Sequence, residues 1–222
     1  MSETRFEQRI SALIVGGFGA VESPILPHLL SRADYVIGVD LGAAACASAG
    51  REPDLAIGDF DSIDPEALAR LRTAGVRIEA LPQAKDITDL EAALALCERE
   101  GIERVTVTAV TGGRADHELA VWGVLSRHPA LQPVIEEPGL RGWIMDAKSG
   151  RSSLTLDGPG PTVSIIPTLG PAQVTINGFR FGDGTVALRP LDDRGVSNEI
   201  TAVSAGVSVL SGTVAVFMNL DE

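Results

Sequence analysis

The chain has 222 residues, 45% of them hydrophobic, enough to bury roughly 70% of the surface its unfolded form exposes, as one large domain or two small ones. Lys and Arg number 18 against 30 Asp and Glu, and the resulting net charge of −12 opposes non-specific association with nucleic acid or an anionic membrane. No run approaches the ~20 apolar residues of a membrane span, MSETRFEQRI lacks the apolar core of a secretory leader, and Cys46 and Cys97 form no CxxC pair; a reduced, cytoplasmic protein is expected.

From Ser11 to about Glu136, short apolar runs alternate with helical patterns. SALIVGG precedes SPILPHLL, DYVIGV precedes GAAACASAG, and LAIG precedes DPEALARLRTAG. VRIEAL, TDLEAALALCEREG, RVTVTAV, ADHELAVWGVLSR and PVIEE continue the series. That order predicts a Rossmann-like parallel sheet flanked by helices. Asp64 before Pro65 marks one helix start, Thr88 with Glu91 makes a capping box at another, and Gly101 closes that helix. After about Pro138 the helical period gives way to short alternating runs such as RSSLTLD, TVSIIP, AQVTING and TVALRP, which predict an antiparallel β-sandwich or barrel. The predicted division is an α/β domain over residues 1–137 and a β domain over 138–222.

Acidic residues follow four of the strand candidates: Asp40, then Asp59 and Asp61 in GDFDSI, then Asp86 and Asp89 in KDITDL, then Asp116 in TGGRADH. In a parallel sheet the loops leaving the carboxyl ends of the strands share one edge, so these carboxylates are expected to line one metal-binding crevice. In a still-extended loop the i, i+2 spacing turns Asp59 and Asp61 to the same side, where they can share a hard cation. An isolated D-x-D is more often a turn before a helix cap, and Asp89 alone is explained by the helix dipole. Lys85 is the one positive charge of its loop and suits a phosphate contact. In TGGRADH, Gly112 and Gly113 let backbone approach a ligand and Arg114 can bond phosphate at a helix start. His117 alone reads as a packing or capping residue. VGGFG, with Gly16 and Gly17, does not fit G-x-G-x-x-G and is read as a glycine-rich first loop beside a nucleotide. Trp122, on an apolar helix, reads as core.

The succession GDFDSI, K-D-x-T-D, T-G-G-R-x-D-H and finally GVSNE at 195–199 resembles the thiamin pyrophosphokinase family over roughly Ile14 to Asn219. The resemblance implies transfer of the pyrophosphoryl group of ATP to the hydroxyl of thiamin, magnesium dependence, and a homodimer whose thiamin site lies between the two chains. It implies that Asp59 and Asp61 hold Mg2+ with Asp86, Asp89 and Asp40. It further implies that Lys85, Gly112, Gly113, Arg114 and Asp116 surround the ATP phosphates, and that Ser197 and Asn198 contact the thiamin pyrimidine. Gly16, Gly17, Asp89 and His117 complete the candidate nucleotide-binding set, and Asp86 or Asp116 is the candidate general base. Two positions depart from the family pattern: Leu41 stands where D-G-G-A has glycine, and Val121 where D-H-x-L-A-N has asparagine. The alternatives are a pyrophosphokinase acting on another primary alcohol such as a hydroxymethylpterin, a nucleotide-sugar glycosyltransferase using D-F-D, or a non-catalytic sensor of thiamin or nucleotide.

Overall fold

In the computed structural model, which describes residues 11–190 and 192–220, the apolar runs of the first half form five short strands. The MSETRFEQRI stretch lies outside the described residues. The strands are β1 (Ser11–Val15), β2 (Tyr35–Val39), β3 (Leu55–Gly58), β4 (Arg77–Ala80) and β5 (Arg104–Thr108). They pair in parallel in the order β4-β3-β2-β1-β5. Every residue of β2 and β3 is buried, as expected of strands covered on both faces. The order reverses at β1, with β2 to β4 on one side and β5 on the other, so the loops after β1 and β5 flank the switch point where α/β sheets bind ligands.

The helices are α1 (Leu26–Arg32), α2 (Leu41–Ser48), α3 (Pro65–Thr73), α4 (Asp89–Arg99) and α5 (Ala115–Ser126). The predicted caps form. Asp64 accepts from the Glu66 N–H at 2.7 Å and Thr88 from the Glu91 N–H at 3.2 Å. Gly101 adopts φ +76° beyond α4, and the Gly101 and Ile102 amides return to the carbonyls of Glu98 and Cys97, a Schellman closure that only a left-handed residue permits.

Contacts divide the chain between Val121 and Trp122. Beyond that point lie β6 (Val134–Glu137), β7 (Leu140–Asp146), β8 (Ser153–Asp157), β9 (Thr162–Pro167) and β10 (Ala172–Asn177). These are followed by β11 (Gly184–Leu188), β12 (Asn198–Glu199), β13 (Ser204–Ser211) and β14 (Thr213–Asn219). PVIEE, the last run of the alternating series, forms β6 and pairs antiparallel with β7. The order β6-β7-β14-β9-β12 forms one antiparallel array and β11-β10-β13-β8 a second sheet. Alternate residues of both, among them Met145, Val163, Val174, Val207 and Val214, build one shared core. Trp122 is core, with its ring 4.3 Å from that of Phe217 and its edge against Gly142.

Candidate active site

Three loops at the carboxyl edge bring Asp40, Asp59, Lys85 and Asp89 together. Asp40, immediately after β2, sits at φ 48°, ψ −118°, a sparsely populated conformation for a residue with a side chain. Its amide bonds the Ile57 carbonyl at 3.0 Å, and its Oδ1 accepts from the Phe60 N–H at 3.2 Å. Gly58 makes room for that carboxylate, since a Cβ there would lie 1.9 Å from Asp40 Oδ1. Burial, followed by the charge of Asp89, raises the Asp40 pKa to about 6; the Phe60 amide opposes the rise and Asp59 adds to it.

Lys85 Nζ lies 3.1 Å from Asp89 Oδ1 and 3.4 Å from Asp59 Oδ2. Burial works against this ammonium, but its bonds to the two aspartates outweigh it and raise its pKa. The Asp61 amide, then Lys85, hold the Asp59 carboxyl below its usual range. Among the described residues, the buried Asp89 Oδ1 has no hydrogen-bond partner beyond its ion pair with Lys85.

D-F-D is not extended. Phe60 adopts φ 57°, and the Asp61 amide turns back onto Asp59 Oδ1 at 3.2 Å. The alternation argument therefore does not apply: Asp59 faces Lys85, while Asp61 is exposed and accepts from the Ser62 hydroxyl at 2.8 Å. Asp86 is also exposed. Among the described residues no three or more His, Cys, Asp or Glu side chains form a ready-made metal cage. The buried, under-coordinated Asp89 oxygen, the hard oxygen donors and the raised Asp40 nevertheless fit magnesium, which binds through one or two carboxylates and takes further ligands from water and substrate phosphates.

The second cluster lies at the switch point. The Gly16 amide bonds the Thr108 carbonyl and the Phe18 amide that of Ala109, each at 2.9 Å, so the first loop is laid against the loop after β5. A Cβ on Gly16 would meet Ala109 O at 2.4 Å, and one on Gly42 would meet Val15 O at 2.0 Å. Leu41 is tolerated beside them because it projects over Gly17, with 42% of its surface exposed. Phe18 leans on Gly113, where a Cβ would lie 2.2 Å from its ring, and meets His117 edge-on at 6.2 Å. The Gly112 N–H donates to Glu118 Oε2 at 3.3 Å, so this cradle accepts an anionic oxygen. Arg114 grips Asp116 through bonds of 3.1 and 2.6 Å and holds its pKa at about 2. Both side chains are mostly exposed, and an exposed pair of this kind is readily opened by a competing phosphate. Val121 is buried.

In the β portion, Ser197 is exposed at φ 58°, with its amide bonded to Ser164 Oγ at 3.0 Å. Asn198 Oδ1 accepts from the Phe181 N–H and its Nδ2 donates to the Phe181 carbonyl, at 3.0 and 2.6 Å. Beside them a cavity of about 200 Å³ is walled by Ile165, Val174, Ile176 and Leu188 and bordered by Phe181 and Asn198. Phe181 and Phe18 carry no local sequence signal of a role here. Each lies in a motif-like stretch, but the contacts that make it noticeable are non-local.

Residues 26–135 match the family model described as thiamin pyrophosphokinase, catalytic domain. The chain is 26% identical over 201 residues to the thiamine pyrophosphokinase of Bacillus subtilis (strain 168), covering 89% of this chain and 94% of the relative. A crystal structure of thiamine pyrophosphokinase from Bacillus subtilis superposes with a TM-score of 0.81 at 23% identity, over 96% of this chain and 100% of that one. Thiamin pyrophosphokinase from Candida albicans gives a TM-score of 0.77 at 13% identity, over 96% and 90%. These comparisons do not favour the pterin or glycosyltransferase alternatives. The order of the acidic and glycine motifs, the matching catalytic-domain segment and the shared fold agree, and the chain belongs to the thiamin pyrophosphokinase family.

Proposed function

We propose that the protein transfers the pyrophosphoryl group of ATP to the hydroxyl of thiamin, giving thiamin diphosphate and AMP, as a cytoplasmic homodimer whose thiamin site lies between chains. The observation that carries this reading is the cluster at the carboxyl edge, where Lys85 pairs with Asp59 and Asp89 and Asp40 lies beside those two carboxylates, in a chain of this family. The α/β portion binds nucleotide; the β portion, residues 138–222, binds thiamin and dimerises. Asp59, Asp89 and Asp40, joined by Asp61 and Asp86 once ligands are bound, would hold Mg2+, which supplies charge neutralisation on the phosphate oxygens.

The chain's own residues do the positioning. Lys85, poised between two carboxylates, is within reach of a phosphate oxygen that draws it away from them. The Gly112 amide exchanges the Glu118 carboxylate for phosphate, and Arg114 exchanges Asp116 for the same ligand. Gly113, Gly16 and Gly17 keep backbone close to the nucleotide, with His117 beside Phe18 at the rim. Asp116, paired with Arg114 until phosphate displaces it, and Asp86 are the two candidates to accept the thiamin hydroxyl proton.

The test is AMP release from ATP and Mg2+, with and without thiamin, and chromatographic identification of thiamin diphosphate. Product that requires thiamin and metal together is expected. AMP release indifferent to thiamin, or none, would overturn the reading.

A further inference from the structure

The loop between β5 and α5 carries the groups suited to nucleotide phosphate, and each is engaged from within the α/β portion. The Gly112 N–H donates to Glu118 Oε2 at 3.3 Å, the Phe18 ring lies against Gly113, and the Arg114 guanidinium closes on Asp116 at 3.1 and 2.6 Å. Two of these three covers are carboxylates from the start of α5. A carboxylate and a phosphate suit such groups for the same reason, since a backbone N–H before a helix and a guanidinium both favour an anionic oxygen. Asp116 belongs to the D-H-x-L-A-N pattern, whereas Glu118 stands at its open position.

Three observations make Glu118 a rival of the ligand rather than a brace for the loop. Its bond of 3.3 Å lies beyond the usual N–H···O range of about 2.7–3.2 Å, so the closure is weak. The place it holds is open: Gly112 is exposed at φ +81°, and nothing lies within 4 Å of where a Cβ would stand. Its release leaves α5 intact, because Glu118 is tied into the helix by its own amide, bonded to the Arg114 carbonyl at 3.0 Å. The side chain therefore departs by rotation alone, freeing the Gly112 N–H and taking its charge away from the loop.

We propose that Glu118 is a tethered competitor for nucleotide phosphate: its carboxylate occupies the Gly112 amide in the ligand-free protein and must leave before a phosphate oxygen takes the same N–H. Glu118 is then an affinity-setting residue that touches neither the acceptor nor the reacting atoms. This rests on the reading of the α/β portion as the ATP site and concerns how tightly that site binds, not the transfer itself. Observed affinity is intrinsic affinity multiplied by the fraction of molecules whose site is open. A side chain that closes the amide for roughly two-thirds to nine-tenths of the time weakens nucleotide binding about threefold to tenfold.

The experiment measures the Kd of a non-hydrolysable ATP analogue with Mg2+ by calorimetry on wild type, E118A and E118D, with melting temperatures as the folding control. E118A is expected to bind the analogue about threefold to tenfold more tightly than wild type and to lower the KM for ATP by the same factor. The KM for thiamin stays within about twofold of wild type. E118D keeps the negative charge but is one methylene shorter and does not reach Gly112; it is expected to bind the analogue as tightly as E118A. Unchanged or weaker binding in E118A makes Glu118 a brace and overturns the proposal. E118D that binds like wild type overturns it as well, since the charge alone then sets the affinity, and this arm decides the matter where E118A does not fold. Wild type that binds the analogue without making thiamin diphosphate overturns the activity alone; wild type that binds no nucleotide overturns both.

Discussion

The carboxyl edge of the parallel sheet and the Asn198 corner of the β portion satisfy their polar groups in opposite ways. At the first, like charges are crowded: Asp40 sits in a strained backbone conformation, its pKa raised by burial and by the charge of Asp89, and Asp89 in turn is paired with the Lys85 ammonium. At the second, the Asn198 amide is tied to the Phe181 backbone, and the cavity beside it is lined mostly by apolar side chains. A site for phosphates and a cation gains by holding unbalanced charge that the ligand relieves, whereas a site for a flat ring gains by being fixed beforehand.

The comparison breaks most sharply at Asp59. Asp59→Asn removes a carboxylate of the charged cluster and is expected to lower kcat by about a hundredfold or more, the loss typical of one charge-stabilising group, with little change in melting temperature. Near-normal turnover in this variant would remove the charged edge from the mechanism. Gly42→Ala tests whether that edge depends on backbone contact: the added carbon meets Val15 O at 2.0 Å, and a loss of roughly 1–3 kcal/mol in urea unfolding is expected from overpacking. Leu41→Gly, next to it, should cost far less than Gly42→Ala. Ser197→Ala, on the satisfied side, removes one exposed hydroxyl and should raise the thiamin KM by about fivefold, the worth of one neutral hydrogen bond, with kcat retained.

The smallest effect is the pH dependence of Asp40. Its folded pKa, about 6, lies above the ordinary 3.8, so the fold binds the extra proton. Stability from this group is therefore fully present below about pH 4 and lost as pH rises through about 6. Asp40→Asn should stabilise the metal-free protein at pH 7 by about 1 kcal/mol after solvent screening, roughly 2–4 °C in Tm, and leave it unchanged at pH 4. Equal effects at both pH values would mean that Asp40 carries no electrostatic strain.

What the sequence disclosed, and what it did not, follows the same division. Strands, helix caps and the Gly101 closure were legible because each depends on residues within a few positions of one another. The carboxylate cluster was legible because parallel topology sends loops to a common edge. The direction of Asp61 was not, since it turns on the left-handed backbone of Phe60, a residue whose side chain gives no reason to expect it. The antiparallel pairing of β6 was not legible either, since it depends on β7, which comes after it in the chain. Asn198 stands in a recognisable motif, yet its side chain bonds Phe181, 17 residues away, across a pairing that no local pattern records. Leu41 departs from the family's glycine, and only the sheet edge reveals that Gly42, not position 41, meets the neighbouring backbone.

Cys46 in α2 and Cys97 in α4 are fully buried, and burial pushes both thiols up to about 12. Oxidants and electrophiles attack the thiolate, which neither residue supplies at neutral pH while the fold is intact. The output of this catalyst should therefore be indifferent to the redox poise of its surroundings: a burst of peroxide that silences enzymes with an activated cysteine would leave thiamin diphosphate production here running.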